Sequence, residues 1–133
     1  MTPKNENTIL IVDDEDIVLE SCRRVLQADG FETLLASSAE EALGMMAQRL
    51  PVALLMDIKM PERDGIYLIG QIREKGVEIP VIVMTGYPTS ETIAEAAQMG
   101  ATTLISKPFT PDELVETVRR VLNKEIRPVF TSA

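Results

Sequence analysis

Asp13-Asp14-Glu15, Asp57, Thr85-Gly86 and Lys107-Pro108-Phe109 are the residues of this chain whose types could do chemistry together, and each group follows a short apolar run. Carboxylates held close repel one another, and one takes up a proton unless a positive charge relieves them. A hard divalent cation does so, and oxygen-only ligands with retained waters suit Mg²⁺. A lysine ammonium adds a second positive charge, and a threonine hydroxyl adds a donor. These are parts for phosphoryl transfer. One carboxylate attacks phosphorus, cation and lysine neutralise the equatorial oxygens, and the hydroxyl donates to one of them. Asp57 reads as the nucleophile because it stands alone, with Asp13 and Asp14 as the metal-binding pair. Taken singly, each has a plainer explanation: Asp-Asp caps a helix with favourable dipole charge, Thr-Gly makes a turn and Lys-Pro a loop. Only their convergence argues for chemistry.

That convergence depends on the elements that carry them. Strands are expected at Thr8–Val12, Glu32–Ala36, Val52–Met56, Val81–Met84 and Thr103–Ser106. Four are almost wholly apolar, as in a parallel sheet covered on both faces. The second, with Glu32 and Thr33, is polar enough for an edge. Helices are expected between them. Asp16–Asp29 carries Val18, Cys22, Val25 and Leu26 at helical spacing and stops at Gly30. Ala39–Leu50 opens with a Ser38/Glu41 capping-box pair and repeats apolar residues through Leu50. Ile66–Lys75 and Glu91–Met99 each end at a glycine, and Thr110–Asn123 starts with Thr110 as N-cap, Pro111 and Glu113. This alternation predicts an α/β doubly wound, flavodoxin-like fold with five helices and a five-stranded parallel sheet in the order 2-1-3-4-5. Ligands of such sheets bind at the carboxyl ends of the strands, where every residue named above falls.

Composition narrows the classes. The 133 residues suffice for one core. Residues 1–7 read as an N-terminal extension, 8–123 as the domain, and 124–133, broken by Pro128, as a tail or the start of a linker. With no histidine and a single cysteine, Cys22, the chain has no Ser-His-Asp triad, no thiolate metal cage and no internal disulfide. Cys22 reads as a small buried hydrophobe. The net charge of −8 makes the surface repel a phosphate backbone, so no direct nucleic-acid binding is expected. No apolar run approaches a membrane span and the start lacks a signal pattern, so no membrane insertion and a cytoplasmic location are expected.

The ordered set Asp13-Asp14, Asp57, Met60-Pro61, Asp64-Gly65, Thr85-Gly86 and Lys107-Pro108-Phe109 resembles the receiver domain of bacterial two-component response regulators, of the chemotaxis-regulator type. The resemblance spans roughly residues 8–123. It implies that Asp57 accepts a phosphoryl group from a sensor histidine kinase or a histidine phosphotransfer protein. It implies Mg²⁺ (or Mn²⁺) held by Asp14, the Asp57 side chain and the Lys59 carbonyl, with Asp13 acting through water. Thr85 and Lys107 would contact the phosphoryl group, and the Lys107-Pro108 bond resembles the family's cis peptide. The implied output is a conformational change read by a downstream effector domain or target protein. The implied activity is Mg²⁺-dependent self-phosphorylation with slow autodephosphorylation, not that of an enzyme acting on other substrates.

One departure stands out: the family usually carries Tyr or Phe three residues before the lysine, and here that residue is Leu104. Without the switching aromatic, a smaller response is expected, concentrated at residues 85–90. Tyr87 reads as a half-exposed loop tyrosine. Three other readings compete. A docking scaffold has no need of Asp13, Asp14, Asp57, Thr85 and Lys107 together. An aspartate-nucleophile phosphatase commonly needs a second aspartate where Lys59 stands. A flavodoxin favours a Ser/Thr/Gly-rich loop where this chain has three acids.

Overall fold

The computed structural model describes residues 7–59 and 65–123. Met60, Pro61 and Asp64 of the motif set, residues 1–6 of the extension and the tail 124–133 lie outside the described residues. The elements run β1 (Thr8–Val12), α1 (Asp16–Ala28), β2 (Glu32–Ala36), α2 (Ala39–Gln48), β3 (Ala53–Asp57), α3 (Gly65–Glu74), β4 (Val81–Thr85), α4 (Ser90–Met99), β5 (Thr103–Ser106) and α5 (Pro111–Leu122). All pairings are parallel and the order is β2-β1-β3-β4-β5, the flavodoxin-like order, with polar β2 at one edge. No described helix is long and apolar enough to cross a membrane.

Successive strand residues face opposite sides, so each buried strand feeds two cores. Leu10, Val12, Leu54, Met56, Val81 and Val83 pack against α2, α3 and α4. Ile9, Ile11, Leu55, Ile82, Met84 and Ile105 pack against α1 and α5. Leu19, Cys22 and Leu26 are the buried residues of α1. Val18, expected in the stripe, is only half-buried, because the stripe runs one position later at its start. Burial pushes the Cys22 thiol up to about 11, and the charge of Asp13 adds to the effect. The thiol is therefore an inert packing group.

Caps follow local chemistry, with two corrections. Thr110 and Glu113 form the full capping box of α5, with Pro111 inside the first turn. At α2 the Ser38 hydroxyl accepts from the Glu41 amide, but the Glu41 carboxylate accepts from the amide and hydroxyl of Ser37, one residue earlier than the motif expects. Second, α2 ends at Gln48 and not Leu50. Arg49 is extended and Pro51 disfavours a helical residue before it, so Leu50 is left 48% exposed.

Two strand ends also differ. β3 runs Ala53–Asp57 where Val52–Met56 was expected, and β4 runs Val81–Thr85 where Val81–Met84 was expected. Asp57 and Thr85 are thus the last strand residues, held by ladder pairing with Met84 and Ser106. An acid or threonine at a strand end resembles the first residue of a loop, and only the partner strand shows that it is still paired.

Candidate functional site

The sheet register brings the strand ends together. Val12 lies beside Met56, Asp57 beside Met84 and Thr85 beside Ser106, so Asp13, Asp57, Thr85 and Lys107 share one rim. Side-chain alternation then sorts them. Asp13 follows Val12, Asp57 follows Met56 and Lys107 lies two residues past Ile105, which directs all three to the α1–α5 side. Thr85 and Leu104 take the opposite side, that of α4.

On the first side, the Lys107 ammonium donates to Asp57 Oδ2 at 2.8 Å and to Asp13 Oδ2 at 3.1 Å. The other oxygen of each acid is held by the chain itself. Asp13 Oδ1 accepts from the Glu15 amide and Asp57 Oδ1 from the Lys59 amide, each at 2.9 Å. Both are tight turns in which the carboxylate binds the backbone two residues on. Asp13 is therefore no helix cap; Glu15 holds that position, with no side-chain bond. Asp13 is fully buried, Asp57 nearly so, and Asp14 is exposed.

Charge is unevenly compensated. Burial pushes the Asp13 carboxyl above its usual range, and Asp57 adds to this, against the Glu15 amide and Lys107. Burial alone would lower the Lys107 ammonium, but the bonds it donates to Asp57 and Asp13 raise it. The Lys107 ammonium is thus held firmly charged, while burial keeps the Asp13 carboxylate costly to ionise even beside it. Carboxylate oxygens of Asp13, Asp14 and Asp57 all lie within 4.8 Å of one another. Each carboxylate keeps lone pairs beyond its existing bonds, and the donor set is oxygen alone, which fits a hard cation such as Mg²⁺. Lys107→Met should cost the metal-free protein about 2 kcal/mol by urea titration, less than for a wholly buried pair because Lys107 keeps some exposure. Unchanged stability would show that the two acids do not depend on it.

On the α4 side, buried Thr85 accepts from the Tyr87 amide at 3.0 Å, which leaves its own hydroxyl proton to donate. The Lys107 amide donates to the Thr85 carbonyl at 2.7 Å, tying the two strand ends. The Lys107-Pro108 peptide is cis.

A family model described as the response regulator receiver domain matches residues 9–119. The chain belongs to that family. Among curated relatives, this receiver domain is 44% identical over 126 residues to the regulatory protein AtoC of Escherichia coli K12 and 36% identical over 116 residues to the response regulator MprA of Mycobacterium avium. The matches cover 91% and 87% of the chain but only 27% and 51% of those two proteins. A CheY-like receiver domain from Methanospirillum hungatei superposes with a TM-score of 0.84 at 30% identity, covering 90% of this chain and 95% of that one. NtrX from Brucella abortus gives 0.83 at 33% identity, covering 88% of this chain and 27% of its own.

The receiver domain also contains site residues whose part was not legible in one dimension. A Cβ added to Gly65 would lie 2.7 Å from the Asp57 carbonyl oxygen and 2.9 Å from Ile58 Cα, so only glycine lets α3 start against the end of β3. The Asp64-Gly65 pair in the motif was the only signal. Lys59, expected to offer its carbonyl, is exposed and carries its ammonium 5.8 Å over the Tyr87 ring. Tyr87 is 72% exposed, more open than the half-exposed loop tyrosine expected. Leu104 is half-buried against the α2–α4 core. Beside the acids, an apolar cleft of about 510 Å³ opens between α1 and the β5–α5 loop, lined by Ile17, Val18, Val25, Pro108 and Phe109 and reaching Lys107.

Proposed function

We propose that this receiver domain takes a phosphoryl group onto Asp57 in a Mg²⁺-dependent reaction. The observation that carries the reading is the Lys107 ammonium between the Asp57 and Asp13 carboxylates, at 2.8 and 3.1 Å, with an Asp14 carboxylate oxygen within 4.8 Å of theirs. The donor is a phosphohistidine on a sensor kinase or phosphotransfer protein. An Asp57 carboxylate oxygen attacks phosphorus, the phosphorus–nitrogen bond breaks, and the imidazole leaves with the electron pair and takes a proton from solvent. Asp57 becomes an acyl phosphate.

Asp14 and Asp57, with the Lys59 carbonyl, would hold the cation, and Asp13 would act through water. When bound, Mg²⁺ supplies positive charge opposite the transferred oxygens. Lys107 exchanges a carboxylate partner for a phosphoryl oxygen, and Thr85 donates its hydroxyl proton to another. The apolar cleft beside Lys107 gives the donor protein a surface on which to align its histidine. An effector domain or separate target reads the resulting state, with the domain at 8–123 and residues 124–133 as a tail or the start of a linker. A cytoplasmic setting fits this exchange.

Incubation with acetyl phosphate and Mg²⁺ followed by intact mass measurement tests the reading. A single phosphoryl adduct that needs the cation is expected. Rapid turnover without an adduct would make the chain a phosphatase, and neither adduct nor turnover would make it a scaffold or a flavoprotein.

A further inference from the structure

Helix α4 is held very unequally at its two ends. Its first half, Ser90 to Glu95, contains no buried residue, and half-buried Ile93 packs into neither core cluster among the described residues. The hydrogen bonds at that end are local. The Thr89 hydroxyl accepts from the Thr92 amide and the Thr89 amide donates to the Tyr87 carbonyl, within a loop whose residues 86–89 are all exposed.

The second half is fastened to α3 and β4. Ala96 is fully buried, and Met99 packs into the same core. Met99 Cε sits in the hollow at Gly70 of α3, where an added Cβ would come within 2.9 Å of it. Past the helix, the Thr102 amide donates to the Val81 carbonyl, and the Thr102 hydroxyl accepts from the Val81 amide, so the exit is sewn to β4.

Arg73, in the last turn of α3, completes the fastening. Its guanidinium donates to the carbonyls of Val77 and Ile79, each at 2.9 Å, and to that of Gly100 at 2.7 Å. Gly100 ends α4 in the left-handed region, with φ of 100°, and a Cβ there would press within 3.0 Å of Arg73 Nε. The cation thus binds the negative end of the α4 dipole while its planar fork holds the α3–β4 loop. No lysine could span all three carbonyls in that geometry.

We propose that α4 is a lever hinged at its C-terminal end on α3, with Arg73 as the hinge pin and the N-terminal end free to follow the loop after Thr85. Its use in signalling rests on the phosphoryl reading above. The hinge itself does not, and it is tested in the unmodified protein.

Amide hydrogen exchange on the whole chain reads it directly. Protection at Gly100 and Ala101 should exceed that at Ile93 and Ala94 by about tenfold or more, the scale of losing hydrogen bonds to a charged donor. Arg73→Met keeps the apolar stem and removes the donors, and it should erase that difference. If Arg73→Met does not fold, Arg73→Lys replaces it and should shrink the difference. Arg119→Met serves as control, since Arg119 pairs with Asp29 on the other side of the sheet at 2.7 and 2.8 Å. It should lower overall stability and leave the difference in place. Equal protection at both ends in the wild type, an unchanged difference in the Arg73 variant, or equal loss in the control would overturn the hinge.

Discussion

Asp57→Asn should take up no phosphoryl group from acetyl phosphate and Mg²⁺ while folding like the wild type. The substitution is nearly isosteric but exchanges an anionic nucleophile for an amide, which does not attack phosphorus. The structure also sets its side effect. Asp57 uses one oxygen to accept from the Lys59 amide and the other from Lys107. Asparagine has one acceptor, so it must give up one of these bonds and turn its NH₂ toward the other donor. A loss of about 1 kcal/mol is expected, the scale of one hydrogen bond. Intact mass measurement and urea titration of the same samples separate the two effects. An adduct of wild-type size on this variant would place the acceptor elsewhere and remove the foundation of the proposed function.

Asp13→Asn should make the metal-free protein more stable at neutral pH, and less responsive to Mg²⁺. Burial raises the Asp13 carboxyl above its ordinary value, despite the Glu15 amide and Lys107. A carboxyl raised in the folded state favours folding when protonated, below its unfolded value near 3.9. That contribution is lost as pH climbs through the higher folded value. Wild-type protein therefore carries a penalty at pH 7 that asparagine lacks. Asparagine keeps only one of the two bonds, to the Glu15 amide or to Lys107, and relief from burying a charge is expected to outweigh the bond lost. The variant's advantage should shrink as pH falls toward 4 and disappear below it. Mg²⁺ at a hundredfold over its dissociation constant should stabilise the wild type by about 2.7 kcal/mol. The variant should gain less, because one negative charge of the cluster is gone. Asp14→Ala should lose more of that response than the Asp13 variant, since the proposed contact of Asp14 is direct. Thermal unfolding with and without Mg²⁺ across pH 4 to 8 checks all of this. A variant less stable than wild type at pH 7 without metal would show that the burial penalty on the Asp13 charge is smaller than the hydrogen bond lost, and would overturn this prediction.

The sequence by itself determined the order of the elements, the sheet order and the strand ends that carry the acids, threonine and lysine. Apolar runs, helical spacing and caps such as Thr110-Pro111-Glu113 are properties of neighbouring residues. The strand–helix alternation they give points, by general topology rules, to one common sheet order. Tertiary structure decided what depends on pairing and distance. Asp57 and Thr85 look like loop residues until β4 and β5 lie beside them. Adjacent and identical in sequence, Asp13 is buried and Asp14 exposed, because alternation turns only the first toward Lys107, 94 residues away. Gly65 became necessary only when the backbone of β3 closed against it. Arg73 carried no signal at all, since its partners are backbone carbonyls that every residue owns. Which of them meet a guanidinium is settled by how α3 and α4 pack, and no local pattern encodes that.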